Sequence, residues 1–95
     1  MSSIEWTGPA VADLKAIWDF TAQDDASAAK AVTGRIVSAV ERLERFPGSG
    51  RPGRVSGTRE LIPAQLPYVI VYETTDRTVR VLRVLHAARS WPPLQ

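Results

Sequence analysis

Residues 47–57 read Pro-Gly-Ser-Gly-Arg-Pro-Gly-Arg-Val-Ser-Gly, a run too rich in glycine and proline for the interior of a helix or strand. It is a loop carrying Arg51 and Arg54, and the patterning on its two sides differs. Before it, Val11, Leu14, Ile17 and Trp18 recur at helical spacing, and Ala29, Val32, Ile36, Val40 and Leu43 step by three or four residues toward Phe46. Thr7 can cap the first helix, which begins near Pro9, and Asp24 or Asp25 the second, which Pro47-Gly48 stops. A link this short makes the two helices an antiparallel hairpin. After the loop, residues 58–62, 68–73 and 79–85 have the β-branched and aromatic content of strands, with turns at 63–67 and 74–78. Residues 4–6 supply a further short strand at the start. The expected fold is α+β, in the order β-α-α-β-β-β, with the hairpin covering one face of a small, mostly antiparallel sheet.

Composition narrows the chemistry. Ninety-five residues with 44% apolar content suit one domain, 1–95, with a single small core. The chain has no cysteine and one histidine, which excludes a disulfide framework, a thiol nucleophile and a thiolate zinc site, and leaves no metal or other cofactor expected. The N-terminal residues lack the basic and long apolar regions of a signal peptide, and no stretch approaches the roughly 18 apolar residues of a membrane span. A cytoplasmic protein without membrane contact is the expectation. The net charge is only +2, but the basic residues are unevenly placed: all seven in residues 51–95 are arginine, against three acidic residues there. Arginine suits forked contact with phosphate or carboxylate.

Arg59, Arg83 and His86 are the polar residues placed nearest a site. Ideal alternation along the last strand puts Arg83 and His86 on opposite faces, so only a bulge or strand end near Leu85 can bring them together. Were the substrate RNA, the two arginines would stabilise charge on phosphorus and His86 would act as general acid or base. Glu60 is the nearest carboxylate base, although it alternates away from Arg59 and has the plainer reading of a surface ion pair. Tyr68 and Tyr72 share parity, and either can stack on a base or fill the core. Arg51 and Arg54 can position a phosphate backbone, meet an acidic protein surface or solvate their loop. The loop glycines do not have nucleotide-fingerprint spacing and instead permit tight turns. Trp6 and Trp18 read as packing residues, and Trp91 as a pin or partner anchor.

Taken together, Phe46-Pro47, Gly50-Arg51-Pro52-Gly53, Gly57-Thr58-Arg59-Glu60-Leu61, Pro67-Tyr68 through Tyr72, and Val84-Leu85-His86 followed by Arg89 and Trp91-Pro92 resemble the RelE/ParE family of bacterial type II toxins. The resemblance spans nearly the whole chain. It implies a growth-inhibiting toxin held inactive by a cognate antitoxin in a hetero-oligomeric complex. The antitoxin would lay an otherwise disordered segment on the toxin near the helical hairpin and carry the complex to operator DNA.

The family divides by target. One branch resembles ribosome-dependent, metal-free mRNA endonucleases; there the resemblance makes Arg59, Arg83 and His86 the catalytic counterparts. Arg51, Arg54, Tyr68 and Arg89 are the candidate substrate- or target-binding residues. The other resembles poisons of DNA gyrase, which need no nuclease constellation. This chain has no lysine after Lys30 and no tyrosine in its C-terminal segment, so the resemblance is closer to the ParE-like branch and favours gyrase over ribosome-linked cleavage of mRNA. A noncatalytic, partner-bound component is the third reading.

Overall fold

The computed structural model describes residues 2–88. In chain order it contains β1 (Ser3–Trp6), α1 (Gly8–Ala22), α2 (Ala26–Arg42), β2 (Arg51–Pro52), β3 (Arg59–Leu61), β4 (Tyr68–Thr74) and β5 (Thr78–His86). Thr7 caps α1, its hydroxyl accepting from the Ala10 N–H, with Pro9 in the first turn; the Asp25 carboxylate caps α2, accepting from the Ser27 and Ala28 N–H groups. Both caps leave the helices only three residues apart, and the chain folds back on itself as a hairpin. The second helix stops at Arg42 and unwinds through short turns, so Phe46 lies beyond it and is exposed.

The sheet has five strands in the order β1-β5-β4-β3-β2. The strands after the loop pair antiparallel, while β1 returns beside the last strand in parallel, Ser3 opposite Thr78 through Trp6 opposite Val81. One strand was not expected: the glycine- and proline-rich segment contributes β2, which pairs Arg51 with Glu60 and Pro52 with Arg59 at the sheet edge. Two residues are enough for a pairing, and a proline is tolerated there because an edge strand has no neighbour to which its missing N–H would donate.

Between the helices and the sheet lies a core of Ala10, Ile17, Ile36, Ala39, Val40, Ile70, Val81 and Val84, which continues through Leu43, Tyr72 and Val79 at one end. Trp6 packs against this core. Trp18 does not: it is 39% exposed, because the apolar stripe of α1 is wider than the surface it covers, and its outer edge faces away from the sheet. Trp91 and Arg89 lie outside the described residues. Among the described residues, no helix is long and apolar enough to cross a membrane.

Candidate functional site

Three clusters organise the side chains singled out in the sequence. The first fastens the segment 47–60 from both faces of the sheet. Tyr72, fully buried and register partner of Arg59, donates its hydroxyl to the Pro47 carbonyl at 2.8 Å and accepts the Gly50 N–H at 2.9 Å. A Cβ at Gly50 would fall 2.6 Å from that oxygen, so only glycine fits the approach. Arg59 donates to the Gly50 carbonyl at 2.8 Å and the Gly48 carbonyl at 3.4 Å. At Gly57 the backbone turns through φ +85°, again a glycine conformation.

Glu60, next in sequence and on the other face, holds the same segment from the opposite side. Its carboxylate accepts from Arg51 Nη2 at 3.2 Å and from the Arg54 N–H at 3.0 Å, with Arg54 Nε 3.8 Å away. The side chain is only 1% exposed, whereas those of Arg51 and Arg54 are 56% and 51% exposed. The reading of Glu60 as a surface pair is therefore corrected: it is a buried carboxylate, and it stays ionised because it is paired. Burial pushes its pKa upward, but the Arg54 N–H, the Arg51 hydrogen bond and both guanidinium charges together outweigh that and hold it below the ordinary value.

In the second cluster Arg83 meets Asp13 of α1. Nε and Nη2 donate to the two carboxylate oxygens at 2.7 and 3.0 Å. Beyond Trp6, where β1 ends, Asp13 also accepts the Val84 N–H at 2.9 Å, so a helix carboxylate takes over the edge hydrogen bonding that β1 begins. The hydrogen bonding of Arg83 to Asp13 raises the Arg83 pKa further, against the opposing effect of burial. Sequence reasoning passed over Asp13. The signal was present: it stands three residues after Ala10 and four before Ile17, both buried, which puts a carboxylate on the core-facing side of an amphipathic helix.

The third cluster joins His86 and Tyr68, register partners at the ends of β5 and β4, with ring centroids 5.6 Å apart in an edge-on arrangement. His86 is exposed and its Nδ1 accepts the Ala88 N–H at 3.1 Å. With Asp13, Ile17, Phe20 and Val84 the pair lines a cavity of about 220 Å³. On its other side His86 shares a depression of only about 10 Å³ with Arg54 and Glu60.

The structure does contain a bulge, but not where it would bring Arg83 to His86. The irregularity falls between Val71 and Tyr72, which pair with Arg83 and Val81 and leave Leu82 over. It precedes Arg83, so Arg83 and His86 keep their three-residue offset, opposite Val71 and Tyr68. Arg59, Arg83 and His86 thus occupy three separate clusters. Tyr72 belongs to the core, and Tyr68 is half-buried beside the histidine.

On the outer side of the hairpin, Val11, Leu14, Lys15, Trp18 and Thr33 line an open, mainly apolar groove of about 280 Å³.

Comparison with known proteins bears on what these clusters do. Residues 4–91 match the family model for the ParE toxin of the type II toxin-antitoxin system, parDE. The chain is 45% identical over 89 residues to Y4kP of Sinorhizobium fredii, covering 94% of this chain and 92% of that one. It is 38% identical over 89 residues to Toxin RelE2 of Caulobacter vibrioides, covering 94% and 99%. A solved structure of the chromosomal ParDE TA system from P. aeruginosa contains a chain that matches with a TM-score of 0.81 at 30% identity, over 90% of this chain and 96% of that one.

Proposed function

The chain belongs to the family of ParE toxins of type II toxin-antitoxin systems, and from that premise we propose that it arrests growth by inhibiting DNA gyrase in the cytoplasm until a cognate antitoxin neutralises it. One observation carries the choice of target. Arg59 is bound to the carbonyls of Gly48 and Gly50 and Arg83 to Asp13, so two of the three groups that a nuclease mechanism would require are engaged in holding the fold. A gyrase inhibitor needs a binding surface and no acid–base constellation. Arg51 and Arg54, whose side chains are half-exposed, and exposed His86, which shares a depression with Arg54, supply the target-contact surface in this reading, with Tyr68 beside His86.

The antitoxin is proposed to occupy the groove of Val11, Leu14 and Trp18 with an apolar helix face, since that groove is open and mainly apolar, the chemistry of a helix-in-groove contact. Operator DNA would then be bound through the antitoxin.

The test is to incubate purified toxin with gyrase and relaxed DNA and to follow supercoiling together with protein-linked double-strand breaks. Loss of supercoiling with trapped breaks is expected. Unaffected supercoiling and no breaks at a dose that arrests growth would overturn the proposal.

Ribosome-dependent mRNA cleavage is the second reading, favoured by the exposed His86 ring beside Tyr68. Acceptance of the Ala88 N–H at Nδ1 leaves Nε2 as the ring nitrogen that would exchange a proton with the substrate. Retention of toxicity in His86→Gln would remove this reading.

A further inference from the structure

Glu60 has the only buried charged side chain among the described residues, and what it holds is exposed. A carboxylate taken out of water is tolerated when its lone pairs are filled and its charge balanced, and here Arg51 Nη2 and the Arg54 N–H fill them. The consequence runs the other way as well. Arg51 is tethered through one guanidinium nitrogen, and Arg54 through its backbone N–H with Nε 3.8 Å from the carboxylate, on a segment that Tyr72 and Arg59 already fasten from the opposite face. The remaining guanidinium donors face solvent, and part of the conformational cost of ordering Arg51 and of placing the Arg54 backbone is met during folding.

We infer that Glu60 is a positioning residue: its buried carboxylate presets the Arg51 guanidinium and the backbone from which Arg54 projects, so that the two guanidinium forks grip the phosphodiester backbone of a nucleic acid. The inference rests on the proposed role of these arginines in contacting the target, and it specifies the chemistry of that contact. Phosphate is favoured over a protein carboxylate by the shape of the surface. Beside Arg54 and His86 the depression is only about 10 Å³, room for one water and not for the inserted side chain that anchors a protein partner. Cations set around so shallow a depression suit a charged ridge, and a nucleic-acid backbone is one.

The sign of one substitution separates positioning from simple charge. Glu60→Gln removes a negative charge, so if only net charge matters the variant binds nucleic acid more tightly. If Glu60 sets the forks, it binds more weakly despite the added positive charge, by about tenfold, the size of one charge-assisted hydrogen bond lost. Fluorescence anisotropy of the full chain with a labelled DNA duplex, with single-stranded RNA and with poly-glutamate, across a salt series, reads this directly. The expected results are weaker binding of duplex by Glu60→Gln, and a log K against log salt slope shallower by about 1.8 in Arg51→Gln/Arg54→Gln, or about 1.4 on the single strand. Tighter binding to RNA than to duplex keeps the phosphate contact and assigns its source to RNA. Binding by Glu60→Gln equal to or tighter than that of the unaltered chain, an unchanged slope in the double variant, or equal dependence of poly-glutamate binding on the two arginines would each overturn the inference. Should Glu60→Gln not fold, Arg51→Lys/Arg54→Lys keeps the charge and loses the forks; undiminished affinity there overturns it too. The gyrase assay reads a different quantity: a chain with these slopes and this sign that leaves gyrase untouched overturns only the gyrase reading.

Discussion

Asp13 and Arg83, 70 positions apart in sequence, meet in a two-point contact at 2.7 and 3.0 Å, and the same carboxylate accepts the Val84 N–H. The contact ties α1 to the half of β5 that β1 does not reach. Its two ends are not equivalent. Asp13→Ala removes the partner of Arg83 and orphans a backbone donor, whereas Arg83→Ala leaves that donor satisfied. Asp13→Ala is expected to lower stability by about 2–4 kcal/mol and Arg83→Ala by about 1–3 kcal/mol, in that order, as read by urea unfolding. Equal stability of Asp13→Ala and the unaltered chain would show that Asp13 does not hold this edge.

Gly50 and Tyr72 form a second lock. Tyr72→Phe removes two hydrogen bonds from a buried hydroxyl and leaves the Gly50 N–H without this partner, a loss of about 1–3 kcal/mol in thermal or urea unfolding. Gly50→Ala is expected to cost at least as much. Tyr72→Phe should not rescue it, because the added Cβ would also lie 2.8 Å from ring carbon Cε1 and 3.0 Å from the Glu60 carbonyl. A double variant as stable as Tyr72→Phe alone would contradict this packing.

What the sequence made legible was whatever depends on near neighbours. Caps at Thr7 and Asp25, the periodicity of Ile36 and Val40, and the β-branched and aromatic content of β4 and β5 are local, and they recovered both helices and four strands with the hairpin against the sheet. The edge strand β2 was hidden because its pairing with β3 overrides the turn chemistry of Arg51 and Pro52. The site was hidden more deeply. Whether a charged side chain such as Glu60 or Asp13 is drawn out of water depends on a partner elsewhere in the chain, and Arg59, Arg83 and His86 looked equally available until their partners were known. Trp18 failed in the opposite sense, since helical spacing says which residues share a face but not how much of that face the sheet covers.

Glu60 also makes stability depend on acid. Its pKa is lowered in the folded chain relative to the ordinary value of 4.5, so the folded state binds its proton less readily than the unfolded chain does. The stabilisation is therefore present above pH 4.5 and is lost as the pH falls through the lower, folded pKa. Unfolding measured in urea from neutral pH down to about pH 3 should show a decline that Glu60→Gln flattens, with the variant already weaker by about 2 kcal/mol at neutral pH. A pH profile identical in both proteins would mean that Glu60 is not the group responsible.

Trp18 offers the sharpest separation of neutralisation from toxicity. It lies in the groove with Val11 and Leu14, far enough from the core to be 39% exposed, so its removal should leave the fold intact. Large aromatic side chains at the centre of such grooves carry a disproportionate share of binding energy. Trp18→Ala is accordingly expected to weaken the antitoxin complex by about 30-fold or more, corresponding to roughly 2 kcal/mol, in calorimetric titration. Growth arrest by the variant alone should be unchanged, while coexpressed antitoxin should protect poorly. Full protection together with unaltered affinity would place the antitoxin on another surface; loss of toxicity with affinity unchanged would instead mean that the groove faces the target.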